Sequence, residues 1–147
     1  MVRIYVSDVI EAPIAKVWDV LRDFNGLPVY HPKLFNRSEI EGGKSADAVG
    51  CVRSFWTVDG GHLREELLSL SDREHSCTYR ILESPLPVTG YVARCQLRPI
   101  TEDDRTFIEW WAEWETNPGA DDAQTIDLVK NATFRGIFRS LKTMLGR

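Results

Sequence analysis

The side chains of this chain best suited to chemistry are acids, phenols and imidazoles set in strand-like alternation. In the run Leu63-Arg64-Glu65-Glu66-Leu67-Leu68-Ser69-Leu70, the even positions Arg64, Glu66, Leu68 and Leu70 share one face. Taken as the inward face, it sets the Glu66 carboxyl among apolar groups. Burial raises a carboxyl pKa, so Glu66 becomes a candidate catalytic acid or base, or an acceptor for a ligand hydroxyl. The plainer account is a rim salt bridge with Arg53 or Arg64. Arg53, Phe55 and Thr57 alternate along a neighbouring stretch, and Tyr79 and Ile81 along another. Tyr91 alternates with Ala93 and Cys95 and offers a phenol that can donate to a ligand oxygen. A core tyrosine with a satisfied hydroxyl explains Tyr91 equally well.

Other chemistries lack their residues. The chain has no phosphate-binding glycine loop, His-Glu-x-x-His pair, nucleophile elbow or Cys-x-x-Cys. His31, His62 and His75 fall on different elements, so neither a metal site nor a cofactor is expected. The three cysteines, Cys51, Cys77 and Cys95, are odd in number and widely spaced, which suits buried free thiols.

Elements that position these residues follow from periodicity. Val2, Ile4, Val6 and Ile10 alternate as in a half-buried strand, and Ala12-Pro13 ends it. Ile14, Val17, Trp18, Leu21 and Phe24 then recur at helical spacing, predicting a short helix over 13–24 that Asn25-Gly26 stops. A further helical turn fits 27–34, between Pro28 and Pro32. Strands are expected over 36–41, 49–58, 62–70, 76–83, 89–100 and 105–116, and turn signals such as Asp59-Gly60-Gly61 and Pro85-Leu86-Pro87 separate them. Such short connections require antiparallel neighbours. Residues 121–146 read as one long helix with the stripe Ile126, Val129, Thr133, Ile137, Leu141 and Met144. The expected fold is therefore α+β: a seven-stranded curved antiparallel sheet wrapped around the long C-terminal helix, with two short helices after the first strand. A curved sheet leaves a trough that a straight helix cannot fill, so a cavity is expected between them.

With 147 residues the chain has the size of one domain, taken as 1–147. Its net charge of −4 argues against a nucleic-acid surface, which needs gathered Lys and Arg. No apolar stretch approaches a membrane span and no signal-peptide pattern opens the chain, so a cytoplasmic protein is expected. Oligomeric state is open, and a homodimer is compatible with the sequence.

The order of elements, with Ala12-Pro13-Ile14-Ala15-Lys16-Val17-Trp18, Asp23-Phe24, Leu27 to Pro32 and Val49-Gly50-Cys51-Val52-Arg53, resembles a known superfamily. It comprises StAR-related lipid-transfer, birch-pollen-allergen-like and polyketide cyclase/dehydrase domains (SRPBCC), which share the helix-grip fold. Thr78-Tyr79-Arg80-Ile81, Pro87 to Tyr91 and Glu109-Trp110 look like the small bacterial cyclase-type members and, more distantly, the plant abscisic acid receptors. That resemblance implies a position for Glu109 facing the ligand, with Trp111 inward beside it, and makes Glu109 a second catalytic candidate. Periodicity opposes this, since Ile108, Trp110, Ala112 and Trp114 form the more apolar face, and without a bulge only one arrangement can hold. The resemblance also places His31 where the plant receptors carry a ligand-binding lysine; a helix-end histidine bonded to the backbone is the plainer account. Segments 58–63 and 84–90 resemble the receptors' two gating loops but lack their motifs, so hormone signalling is not carried over.

Two functions are weighed. The first is binding or carriage of a small hydrophobic, lipid-, aromatic- or polyketide-like ligand. The alternative is a cofactor-independent cyclase, dehydratase or isomerase that uses acid/base residues in the same cavity, and an interaction module responsive to ligand is a third class.

Overall fold

The computed structural model describes all 147 residues. Strand β1 (Val2–Ile10) leads into helices α1 (Ile14–Leu21) and α2 (Leu27–Tyr30). Strands β2 (Phe35–Ile40), β3 (Val52–Thr57), β4 (His62–Ser71), β5 (Ser76–Glu83), β6 (Val88–Ile100) and β7 (Arg105–Thr116) follow. The chain ends in α3 (Asp122–Asp127), a π-helical stretch (Leu128–Arg135) and α4 (Gly136–Leu145), which run on as one helix. The strands form one antiparallel sheet in the order β1-β7-β6-β5-β4-β3-β2, so β1 and β2 are the edges. This is the α+β arrangement expected from the periodicities, and it has the helix-grip form that the resemblance implies. The third strand starts at Val52 rather than at residue 49.

Where alternation is unbroken, burial follows it. In β7, Ile108, Trp110, Ala112 and Trp114 are buried under the C-terminal helix, and β7 pairs with β1 residue for residue. Trp110 stacks on Phe134 at 5.3 Å between ring centroids. Four bulges interrupt the pairing elsewhere, one of them at Asn36 in β2 opposite β3. Leu68 is an extra residue in β4 opposite β5, Leu82 one in β5 opposite β4, and the Gly90-Tyr91 region of β6 carries one opposite β7. Each bulge moves later side chains to the other face.

The C-terminal helix departs from the expected stripe. Its buried residues are Thr125, Val129, Phe134, Gly136, Ile137, Phe138 and Leu141, whereas Met144 is exposed and Ile126 and Thr133 are half-buried. The step of five from Val129 to Phe134 marks the π-helical stretch, in which bonding skips one residue further than in an α-helix. The Gly136 amide accordingly turns to the carbonyls of Asn131 and Thr133. Ala132 O accepts instead from His31 Nε2–H at 2.7 Å, from the end of α2. A carbonyl can only accept, so Nε2 carries the proton. Nδ1 is then bare, and it is buried without a partner.

Gly136 permits this docking, because a Cβ there would lie 2.5 Å from His31 Nε2. Alanine normally favours a helix over glycine by about 1 kcal/mol. We expect the opposite sign here: Gly136→Ala should lose about 1–3 kcal/mol of stability in urea unfolding, since the histidine must shift. The docking also sets a pH response. Burial lowers the His31 pKa, the Ala132 hydrogen bond opposes that, and the charges of Arg139 and Lys33 add to the lowering. The unfolded chain therefore takes up this proton at a higher pH than the folded one, so the contribution is complete above the ordinary value of 6.5 and lost as pH falls below it. His31→Gln keeps an N–H donor and removes the titration. Its melting temperature should fall less than that of the unaltered protein between about pH 7.5 and about pH 5.5, a span that brackets the ordinary imidazole value.

Candidate functional site: an apolar cavity with a polar end

Between the concave face of the sheet and the helix lies a cavity of about 530 Å³. Phe55 and Thr57 of β3, Leu63 of β4, Tyr79 and Ile81 of β5 and Tyr91 of β6 form the sheet wall. Leu128, Val129, Ala132, Thr133 and Ile137 form the helix wall, and Leu27, Leu34 and Phe35 complete the lining. The mouth is edged by Asp59, Gly60 and Gly61 from the β3–β4 turn and by Pro85 and Leu86 from the β5–β6 loop. A Cβ on Gly61 would meet Pro85 Cγ at 3.7 Å and Thr57 Oγ1 at 2.8 Å, so these loops approach each other closely.

The polar groups of the cavity centre on one buried ion pair. Arg53 and Glu65 face each other across β3 and β4, with side chains only 4% and 7% exposed. Arg53 Nε and Nη2 both donate to Glu65 Oε1, at 2.9 and 2.7 Å. Its Nη1 donates to Phe24 O at 3.2 Å and to the Tyr30 hydroxyl at 3.4 Å. The guanidinium carbon lies 4.0 Å from the Phe24 ring centroid and 4.7 Å from that of Tyr79, so the cation is also flanked by rings. Burial pushes the Glu65 carboxyl up against the opposing pull of Arg53. Burial likewise lifts the Tyr30 phenol to about 12 and the Tyr79 and Tyr91 phenols well above their ordinary value. Trp110 Nε1–H donates to the Tyr79 hydroxyl at 3.0 Å, and Tyr91 stacks on Trp114 at 5.7 Å.

Of the side chains that the sequence proposed, Arg53, Phe55, Thr57, Tyr79, Ile81 and Tyr91 line this cavity. Five do not. Glu66 points to the convex face and pairs with Arg80 at 2.7 Å, and Arg64 binds Glu41 at 2.6 Å and Glu83 at 3.0 Å. The cause is the Leu68 bulge: Leu70 faces the core, but the inward parity before the bulge is Leu63, Glu65 and Leu67. Glu109 accepts from Tyr5 at 2.9 Å and Arg98 at 3.1 Å on the convex face, and Trp111 sits beside Tyr5 with centroids 5.4 Å apart. Unbroken β1–β7 pairing leaves no bulge that would turn either inward. His31 is buried against the helix backbone and is not part of the lining. The residue missed was Glu65. Its signal was the odd parity shared with Leu63 and Leu67, which the Leu68-Leu70 pair obscured.

A sequence model described as "Polyketide cyclase / dehydrase and lipid transport" matches residues 1–145. No curated protein matches. Among solved structures, the Bacillus cereus protein XoxI superposes with a TM-score of 0.86 at 27% identity, covering 99% of this chain and 96% of its own. A putative uncharacterized protein from Bacillus thuringiensis gives 0.84 at 27% identity, with 97% and 98% covered. A protein from Nitrosospira multiformis gives 0.83 at 28% identity, with 98% and 96% covered. The fold, the cavity under its helix and a match over nearly the whole length lead to one assignment: the chain belongs to the polyketide cyclase / dehydrase and lipid transport family.

Proposed function

We propose that this protein binds or carries a small hydrophobic, lipid-, aromatic- or polyketide-like molecule in the cavity between sheet and helix. The observation that carries this reading is a preformed space of about 530 Å³ with mainly apolar walls and its few polar groups gathered around Arg53 and Glu65. Small-molecule sites have this size and this sparse polarity. The family's description, which includes lipid transport, points the same way. The turn at Asp59–Gly61 and the loop at Pro85–Leu86 are the movable parts of the entrance, since neither is held in a strand. A cytoplasmic setting belongs to this reading and is supported by three buried, free thiols.

A second reading, acid/base conversion of a carbonyl compound, is favoured by one observation: Glu65 is a buried carboxyl lining the cavity, with its pKa pushed up by burial. Glu65 takes the place that Glu66 and Glu109 held as candidates. Incubation with linear polyketones, followed by mass spectrometry, separates the two, because a carrier returns its ligand unchanged.

Occupancy is tested at the helix wall. Ala132 is the smallest cavity-lining side chain there, and Ala132→Phe puts a ring into the space a ligand would fill. Titration with the neutral dye N-phenyl-1-naphthylamine should show at least about a tenfold loss of affinity, equivalent to about 1.4 kcal/mol. The melting temperature should stay within a few degrees. Undiminished dye binding would move the ligand out of this cavity.

A further inference from the structure

Resting on the reading of the cavity as a ligand site, we infer that its occupant is an apolar molecule bearing an uncharged hydroxyl, an alcohol or a phenol, and that carboxylate ligands are rejected. The inference comes from which polar atoms at the Arg53–Glu65 end are already satisfied. Every Arg53 nitrogen is engaged: Nε and Nη2 with Glu65, Nη1 with Phe24 O and the Tyr30 hydroxyl. Rings of Phe24 and Tyr79 flank its faces. Four of its five N–H groups are used in this way and its charge is already paired with Glu65, so the cavity offers an anionic head group a neutralised ion pair rather than a free cation.

Two atoms are free. Both Arg53 bonds go to Glu65 Oε1, and Oε2 makes no hydrogen bond. The Tyr91 hydroxyl likewise has no partner, although the residue is 95% buried by its 5% exposure. Only His31 Nδ1 is both sealed and unpartnered among the buried polar side-chain atoms, so Oε2 and the Tyr91 hydroxyl open onto space. Both residues line the cavity, which is the one space they share, and Tyr91 also borders a neighbouring hollow beside Leu82, Ser84 and Asn117. Burial raises the Tyr91 phenol's pKa first, and the Glu65 charge, near enough to act on it, adds to the rise.

One acceptor and one donor, both preformed and both lacking partners, suit a ligand hydroxyl: its O–H donates to Glu65 Oε2 and its oxygen accepts from Tyr91. A carbonyl satisfies only Tyr91. An ether satisfies only Tyr91 as well, and leaves the carboxylate unpaired in an apolar site. A carboxylate would bring a second negative charge beside Glu65, whose one partner cation, Arg53, is already paired, and Asp59 at the mouth adds a further negative group. An ammonium would pair with Glu65 but must shed its hydration on entering a wall of Phe, Leu and Ile side chains.

The test compares three ligands of one shape, 4-hexylphenol, 4-hexylanisole and 4-hexylbenzoate, by displacement of N-phenyl-1-naphthylamine at about pH 7.5, where the phenol is neutral and the benzoate charged. The phenol should bind at least about tenfold tighter than the anisole, one hydrogen bond's worth, and tighter still than the benzoate. Tyr91→Phe should remove most of the phenol's advantage over the anisole, read as the ratio of the two affinities within the same variant. Glu65→Gln should do the same where the protein folds; because it leaves Arg53 without its counter-ion, Tyr91→Phe alone decides if it does not. Equal affinities for phenol and anisole in a protein that binds the dye would overturn the hydroxyl preference and leave the cavity reading standing. Tighter binding of the benzoate would overturn it too. Failure of the dye and all three ligands to bind would overturn the cavity reading and the hydroxyl preference with it.

Discussion

Arg53 and Glu65 form the contact on which the rest of the molecule is arranged. Two charges taken out of water lose hydration worth several kcal/mol each, and only close, multiply bonded geometry recovers it. The fold meets that condition by bringing three distant stretches to one point. Strands β3 and β4 supply the two ions in direct register, and the connection around α2 supplies the Phe24 carbonyl and the Tyr30 hydroxyl. Tyr79 of β5 adds a ring and ties the cluster to Trp110 of β7. The ion pair thus joins the short helices to the sheet. It also keeps water-seeking groups at the base of a space that is otherwise apolar.

Much of this was legible in the sequence, for a simple reason: strand alternation is reliable where pairing is unbroken. It placed Phe55, Thr57, Tyr79, Ile81 and Tyr91 toward the cavity, and Ile108, Trp110, Ala112 and Trp114 toward the helix. It failed in β4, where a single extra residue at Leu68 reverses the parity and exchanges Glu65 for Glu66. No glycine or proline marks that bulge, so it leaves no trace in composition. The expectation for Glu109 failed differently. There a distant resemblance opposes the local pattern, and the local hydrophobic pattern, with four buried side chains at stake, prevails.

The helix offers a similar lesson. Ile137 and Leu141 fall where a period of 3.6 residues puts them, but Phe134, fully buried and stacked on Trp110, lies outside the expected stripe. The discrepancy begins in the π-helical stretch, whose signature is a pattern of bonds and not of residue types. His31 belongs to the same event, since it takes the carbonyl that the altered bonding released.

That stretch of irregular helix, Leu128–Arg135, itself carries most of the helix wall of the cavity and runs into an anchored end. The part after it, Gly136–Leu145, is fixed by Ile137, Phe138 and Leu141 in the core. The part containing Leu128, Val129, Ala132 and Thr133 faces the cavity. One residue corresponds to about 100° of rotation around a helix axis. A gain or loss of one residue in the π-helical stretch would therefore turn a different set of side chains to the cavity while the anchored end stayed in register. Descendants of this chain can change what they hold by altering the winding of one wall, with no substitution in the core that keeps them folded.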